Sequence, residues 1–296
     1  MGWLFTKKNT VTTVNSFNTR AALGALNALI ATNTGNVRSN NEDAALIACA
    51  TSEKELRRKG CLLLLADGMG GHNSGEVASS TALDAFTTAY YSSRGNVSAS
   101  LREAVKKANE TVFNKSFTSP EYNGMGTTLT AVAIMGNSLY LAHVGDSRAY
   151  LFTRDSFRRL SKDHTVVQQL IDMGAIPEAA AATHPERNVL LSALGTKAHL
   201  QADVMKLDEH LTDDNLLLLC SDGLYDMVQE QEIFSIIRQT FSIDEMASML
   251  IDRACANGGY DNITVLIAAK SPAYSMRRLK TTGDADIASL NENLQQ

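Results

Sequence analysis

The 296-residue sequence lacks any apolar run approaching the roughly 20 residues that a membrane-spanning helix needs. Its first residues, MGWLFTKKNT, put lysines after a very short apolar patch and do not form a good signal peptide. A cytoplasmic location is therefore expected. Basic excess is also missing: the formal net charge is −5, which gives no electrostatic footprint for nucleic acid. No period of 20–50 residues recurs, so a solenoid is excluded. There are four cysteines, Cys49, Cys61, Cys220 and Cys255, and no C-x-x-C pair. Three of them lie in or beside apolar runs. Buried free thiols are expected, rather than disulfides or a zinc site.

What is present is an ordinary globular composition, 44% apolar and 20% charged with mixed signs, ample for a large core. Residues 1–24 are polar and read as an N-terminal extension, and residues 271–296 read as a polar C-terminal tail. A single folded domain is expected over 25–270. ALIATNTG, AALIACA and CLLLLADG are short apolar runs that end in turn residues and predict buried strands. EVASSTALDAFTTAYY and SASLREAVKKANETVFNKSF predict helices, the second capped by Ser98 or Ser100. Thr127–Met135 and Leu139–Val144 flank Gly136-Asn137, a hairpin signal. Arg148–Phe152 continues as a third strand. HTVVQQLIDMGAI predicts a short helix, and the weakly patterned stretch around it, about 165–196, reads as a flap inserted between strands. LLLLCSDG is another strand. IFSIIRQT and IDEMASMLIDRACAN are helices, with Gly258 as a stop for the second. DNITVLI leads into the last strand. This order departs from βαβ alternation. It predicts an α+β fold: a four-layer α-β-β-α sandwich of two antiparallel sheets flanked by helices.

Aspartates recur where apolar runs stop. Asp67 ends LLLLAD, Asp222 ends LLLLCSD, Asp261 precedes ITVLI, and Asp146 follows LYLAHVG. Glu42 and Asp43 precede AALIACA. Asp-Gly after an apolar run is usually only a turn signal; several in one chain, each bounded by a buried strand, ask for more. If strand ends bring these carboxylates to one rim, two charges 4 Å apart repel by roughly 4 kcal/mol at an effective dielectric near 20. Either their pKa values rise or a cation sits among them. Oxygen donors without a His/Cys cluster point to Mg²⁺ or Mn²⁺. Gly68 and Gly223 are read as sharp turns that also let a carbonyl approach the ion.

These residues resemble the metal-dependent serine/threonine protein phosphatases of the protein phosphatase 2C family, in their bacterial form. VRSNNED, LLLLADGMGGHNSGEVAS, GMGTTLTAVAI, LYLAHVGDSRAYLF, LSKDH, LLLLCSDGLYDMV and GGYDNITVLI occur in family order across roughly residues 27–270. The resemblance implies hydrolysis of phosphoserine and phosphothreonine with two core Mn²⁺ or Mg²⁺ ions and a weaker third. It implies Asp67 as the bridge between two ions, with Asp222 and Asp261 completing the first site. Glu42 and the Gly68 carbonyl serve the second, and Asp146 the third. By the same resemblance Asp43 orders bound water, Arg38 grips the substrate phosphate and Asn262 fixes the last loop. Where many eukaryotic relatives have histidine after the first Asp-Gly, this chain has Met69. His72 is then one candidate for the general acid, and a water on the third ion is another. His164 is expected to position a loop, His143 to belong to the core, and Thr127-Thr128 to lie beneath the site. No Cys-x5-Arg signature suggests a phosphoenzyme. Expected partners are phosphoproteins, a cognate Ser/Thr kinase among them, with the chain monomeric. A non-catalytic phosphoprotein binder and a two-metal nuclease are the alternatives. The first would be favoured by loss of a metal aspartate, and the lack of a basic patch argues against the second.

Overall fold

The computed structural model describes residues 15–21, 24–70, 74–240 and 242–270. Two antiparallel sheets form its centre. The first runs in the order β1 (Asn15–Ala21), β2 (Gly24–Asn33), β13 (Ile263–Ala269), β12 (Leu216–Cys220), β9 (Arg148–Phe152), β10 (Phe157–Arg159). The second runs β11 (Asp203–His210), β8 (Ser138–Val144), β7 (Leu129–Met135), β4 (Cys61–Ala66), β3 (Ala44–Cys49). A two-stranded ribbon, β5 (Gly68–Met69) with β6 (Gly126–Thr127), sits beyond the end of β4.

The continuous apolar runs are explained by burial on both faces. Leu62 and Leu64 of β4 pack beneath helices, whereas Leu63 and Leu65 point into the space between the sheets. β12 divides in the same way: Leu216 and Leu218 face helices, Leu217 and Leu219 face the other sheet. Helices α2 (Ser74–Ser92) and α3 (Val97–Lys115) cover the second sheet. α6 (Glu230–Gln239) and α7 (Ile243–Ala256) cover the first. Three separate apolar clusters, one between the sheets and one under each helical layer, make the four-layer α-β-β-α sandwich that the sequence predicts.

The hairpin over Gly136-Asn137 forms as read: Met135 pairs with Ser138, and Gly136 has φ 61°. α7 ends at Ala256, with Gly258 two residues on at φ 134°. The sequence reading lacked β1, β5, β10, β11, α1 (Glu53–Lys59) and the single helical turn at Asp222–Tyr225. The helix cap is corrected too. Asn96, not Ser98 or Ser100, caps α3, accepting from the Ala99 N–H at 2.9 Å. Ser100 is buried inside the helix and bonds to Ser93 and Gly95.

The cysteines require the clearest correction. Cys49 and Cys61 form a disulfide, while Cys220 and Cys255 are free. Antiparallel pairing of β3 with β4 places the two residues directly opposite, with Cα atoms 4.3 Å apart. The α1 segment lies in the loop that they close.

The flap region holds α4 (Val166–Asp172) and a 3-10 turn over Glu178–Thr183. Its ends are fastened by two bridges, Thr165 with Leu190 and Thr127 with Leu194. No helix among the described residues is long and apolar enough to cross a membrane.

Candidate active site

The acidic residues sit where strands of both sheets end. Asp67 leaves β4 and enters β5. Its backbone is clamped by the threonines at β6: Thr128 N–H donates to the Asp67 carbonyl at 2.9 Å, the Thr127 hydroxyl donates to the same carbonyl at 2.8 Å, and Asp67 N–H donates to Thr128 Oγ1 at 2.9 Å. Thr128 Oγ1 also lies 2.7 Å from Ser147 Oγ, tying this strand end to the turn that carries Asp146. The two threonines thus lie beneath the site, as expected.

Glu42 and Asp43 precede β3. Glu42 N–H donates to Asn262 Oδ1 at 2.8 Å, and the Asn262 amide donates to the Thr34 and Asn40 carbonyls, each at 2.9 Å. Asn262 therefore fastens the Glu42 loop to the start of β13. The Glu42 carboxyl lies against the first turn of α2, where a Cβ on Gly75 would meet its Cδ at 2.6 Å. Asp222 begins the single helical turn α5 (Asp222–Tyr225) directly after β12. Asp261 sits just before β13, and its Oδ2 accepts from Arg38 Nη2 at 2.7 Å. Arg38 is half exposed, at the mouth of the site.

Gly68 and Gly223, read as sharp turns with room for a close approach, are needed for the second reason. Neither has positive φ; both are required by space. A Cβ on Gly68 would stand 2.2 Å from the Gly75 carbonyl oxygen, and one on Gly223 would stand 2.1 Å from that of Asn262.

Electrostatics show how close the carboxylates are. Asp67 and Asp222 both titrate well above the usual range, first because burial disfavours their charged forms and then because of each other's neighbours. Asp43, Asp146 and Asp261 act on both. Asp43 is pushed up to about 7 by burial, and then by Asp261 and Glu42. Asp146 is pushed up to about 7 by burial and by Asp163. Glu42 is raised by burial, opposed by the Gly75 N–H and by Arg38. All the acidic site residues predicted from sequence thus belong to one interacting group. His72 lies outside the described residues.

The donor set fits a hard divalent cation. Asp222 Oδ1 and Asp43 Oδ1 are buried and lack a hydrogen-bond partner among the described residues. Such oxygens are costly to leave bare, and a cation in contact with oxygen ligands removes that cost. No three His, Cys, Asp or Glu side chains among the described residues already surround a single ion position. The Asp261 carboxylate, for one, is turned to Arg38.

Several supporting residues were missed from sequence. The Ser221 hydroxyl donates to Asp43 Oδ2 at 2.8 Å, and Ser221 Oγ accepts from Thr264 N–H at 3.0 Å. Asn41 and Thr32 extend this buried polar patch at 2.7 Å each. The available signal was a hydroxyl interrupting an apolar strand end, as in LLLLCSD. Arg148 pairs with Asp163 at 2.7 Å and lies 3.6 Å over the Tyr225 ring, whose hydroxyl donates to the Asp146 carbonyl at 3.1 Å. A cavity of about 310 Å³ opens beside Asp146, with Arg148, Asp163, Arg187, Tyr225 and Asp226 among its walls. His143 is a core residue, as read, with Nδ1 3.0 Å from Thr130 Oγ1.

Comparison with known proteins agrees with this geometry. The sequence profile of the family "Protein phosphatase 2C" matches residues 28–170 and 201–263. The serine/threonine phosphatase stp of Listeria welshimeri is 35% identical over 245 residues, covering 81% of this chain and 94% of that protein. The crystal structure of the Mycobacterium tuberculosis serine/threonine phosphatase PstP/Ppp superposes with TM-score 0.72 at 36% identity, covering 82% of this chain and 98% of that one. The catalytic domain of PstP in complex with two manganese ions superposes with TM-score 0.70 at 35% identity, covering 82% and 97%. The two-sheet sandwich agrees with these matches, and the chain belongs to the protein phosphatase 2C family.

Proposed function

We propose that the chain hydrolyses phosphoserine and phosphothreonine in proteins with Mn²⁺ or Mg²⁺. One observation carries this reading: acidic side chains remote in sequence meet at one rim, raise each other's pKa values and leave buried oxygens unpartnered. Asp67, Asp222, Asp261, Glu42 and the Gly68 carbonyl would hold two ions, and Asp146 a weaker third. Bound ions of this kind polarise a phosphoryl group and lower the pKa of water.

The chain's own residues supply the rest. Arg38, half exposed at the mouth, offers a planar fork that binds phosphate oxygens in pairs. Asp43, held by Ser221, is placed to accept a hydrogen bond from water in the site. A thiol nucleophile is unsuitable. Cys220 is buried with its pKa pushed far up by desolvation, and Cys255 is raised for the same reason.

Phosphoproteins are the substrates, among them a cognate Ser/Thr kinase and its targets, so the enzyme opposes kinase signalling in a bacterial cytoplasm, as a monomer. The catalytic domain spans 25–270. Its flap, about 165–196, forms one wall of the cavity beside Asp146 through Arg187 and Asn188, and this supports a role in substrate choice.

The test is hydrolysis of p-nitrophenyl phosphate and of a phosphothreonine peptide by the full chain with Mn²⁺. Asp222→Asn should lower both activities by more than about 100-fold, beyond what loss of a supporting residue around a metal causes. EDTA should abolish them. Activity that survives EDTA would eliminate the metal mechanism. Peptide binding without turnover would leave the non-catalytic reading.

A further inference from the structure

The turn between β8 and β9 carries Asp146, and its first residue is Gly145. Gly145 has φ 101°, and a Cβ there would press on the Thr128 side chain at 2.6 Å, so this backbone has little room. Both of its hydrogen-bonding groups go to one residue. His164 N–H donates to the Gly145 carbonyl at 2.8 Å, and Gly145 N–H donates to His164 Nδ1 at 3.3 Å.

The rest of His164 faces elsewhere. Its carbonyl accepts from Leu191 N–H at 2.8 Å, at the returning end of the flap. One residue further on, Thr165 bridges Leu190, and Val166 N–H donates to the Val189 carbonyl at 2.9 Å. His164 Nε2 lies 3.2 Å from Asp203 Oδ2, on the first residue of β11. Its ring stacks at a tilt on the buried His143, centroids 4.9 Å apart. A single residue therefore meets the Asp146 turn through its backbone N–H and its ring, the returning end of the flap through its carbonyl, and the edge strand of the second sheet through Nε2.

We propose that His164 is a positioning residue that holds the Asp146 turn in register with the base of the flap. The role given to the turn rests on the reading of Asp146 as a cation ligand; the linkage itself does not. The geometry also fixes the tautomer. Nδ1 must keep its lone pair to accept from Gly145 N–H, so the ring hydrogen is on Nε2 and donates to Asp203.

Two substitutions separate this role from others. In His164→Asn the amide oxygen is attached to Cγ, as Nδ1 is in histidine, so it can accept from Gly145 N–H. In His164→Gln the amide is one bond further out, at the distance of Nε2, and the bond to Gly145 is lost. Three measurements apply to the full chain. Imidazole ¹⁵N NMR should report Nε2–H for His164. Amide hydrogen exchange at Gly145 should stay slow in His164→Asn and rise by about tenfold or more in His164→Gln. The Mn²⁺ concentration for half-maximal p-nitrophenyl phosphate hydrolysis should stay within about threefold in the asparagine variant and rise about tenfold in the glutamine variant, the range typical of residues that orient metal ligands.

An Nδ1–H tautomer, or Gly145 exchange that is equal in the two variants, would overturn the proposal whatever the enzyme's activity. So would loss of activity in both variants with the alkaline limb of the pH–rate profile removed, since that marks His164 as a proton donor. Losses that merely follow each variant's melting temperature would reduce His164 to a packing residue and also overturn it. Correct tautomer and exchange with no change in Mn²⁺ dependence would contradict the metal role of Asp146 and the function assigned to the turn.

Discussion

Gly75 is the second residue of α2, and alanine in a helix is ordinarily preferred over glycine by about 1 kcal/mol. Here the added methyl would fall on the Glu42 carboxyl, 2.6 Å from Cδ and 2.8 Å from either oxygen. The far end of a flexible side chain can move aside, so folding should survive while the ligand position does not. Gly75→Ala is therefore expected to lower Mn²⁺-dependent kcat/KM by about 10–100-fold without lowering the melting temperature. Paired kinetics and calorimetry would check this; unchanged activity would remove Glu42 from the site. At Gly68 and Gly223 the same methyl would meet backbone oxygen, which cannot swing away. At this scale the acidic residues were legible because each stands where an apolar run stops. Ser221 was harder to read: the hydroxyl at the strand end in LLLLCSD was a signal, but it does not name the Asp43 carboxylate that it bonds across 178 residues of chain.

Elements were legible in proportion to how regularly their side chains alternate. β4 and β12 are wholly buried, and their leucines divide between a helix-facing and a sheet-facing cluster. β11 is half exposed, lacks a clean alternation and is bulged where it pairs with β8 between Lys206 and His210, so its sequence gave no strand signal. The Cys49–Cys61 bond depends on the register of β3 against β4, which spacing alone does not reveal. The flap has weak patterning because few of its side chains are buried; Met173, Val189 and Leu191 are exposed apolar residues within it. Such a segment can vary without disturbing the core. Replacing only 165–196 with a relative's flap should change kcat/KM among phosphopeptides by about tenfold or more, the scale of one or two altered contacts. Hydrolysis of p-nitrophenyl phosphate should move by less than about threefold. Equal changes in both would refute a role in peptide choice.

For the whole molecule, the modest net charge of −5 hides a dense local concentration of acid at one rim. Two sheets packed face to face bring six carboxyls to that rim, and the titration of Asp43 and Asp146 couples the site to global stability. In the metal-free protein Asp43 and Asp146 titrate near 7, whereas the unfolded chain ionises them near 3.8. Between these values the folded state binds more protons than the unfolded one, so stability falls as pH rises. A divalent cation reverses the penalty because it favours the ionised carboxylates. The decisive measurement is the melting temperature of metal-stripped and Mn²⁺-saturated protein from pH 5 to pH 8. The metal-free melting temperature should fall with rising pH up to about 7. Mn²⁺ at about 100 times its Kd should raise it by about 5–10 °C at neutral pH, less at pH 5, and little in Asp222→Asn. A melting temperature indifferent to Mn²⁺ at every pH, or one that climbs with pH in the stripped protein, would contradict the account.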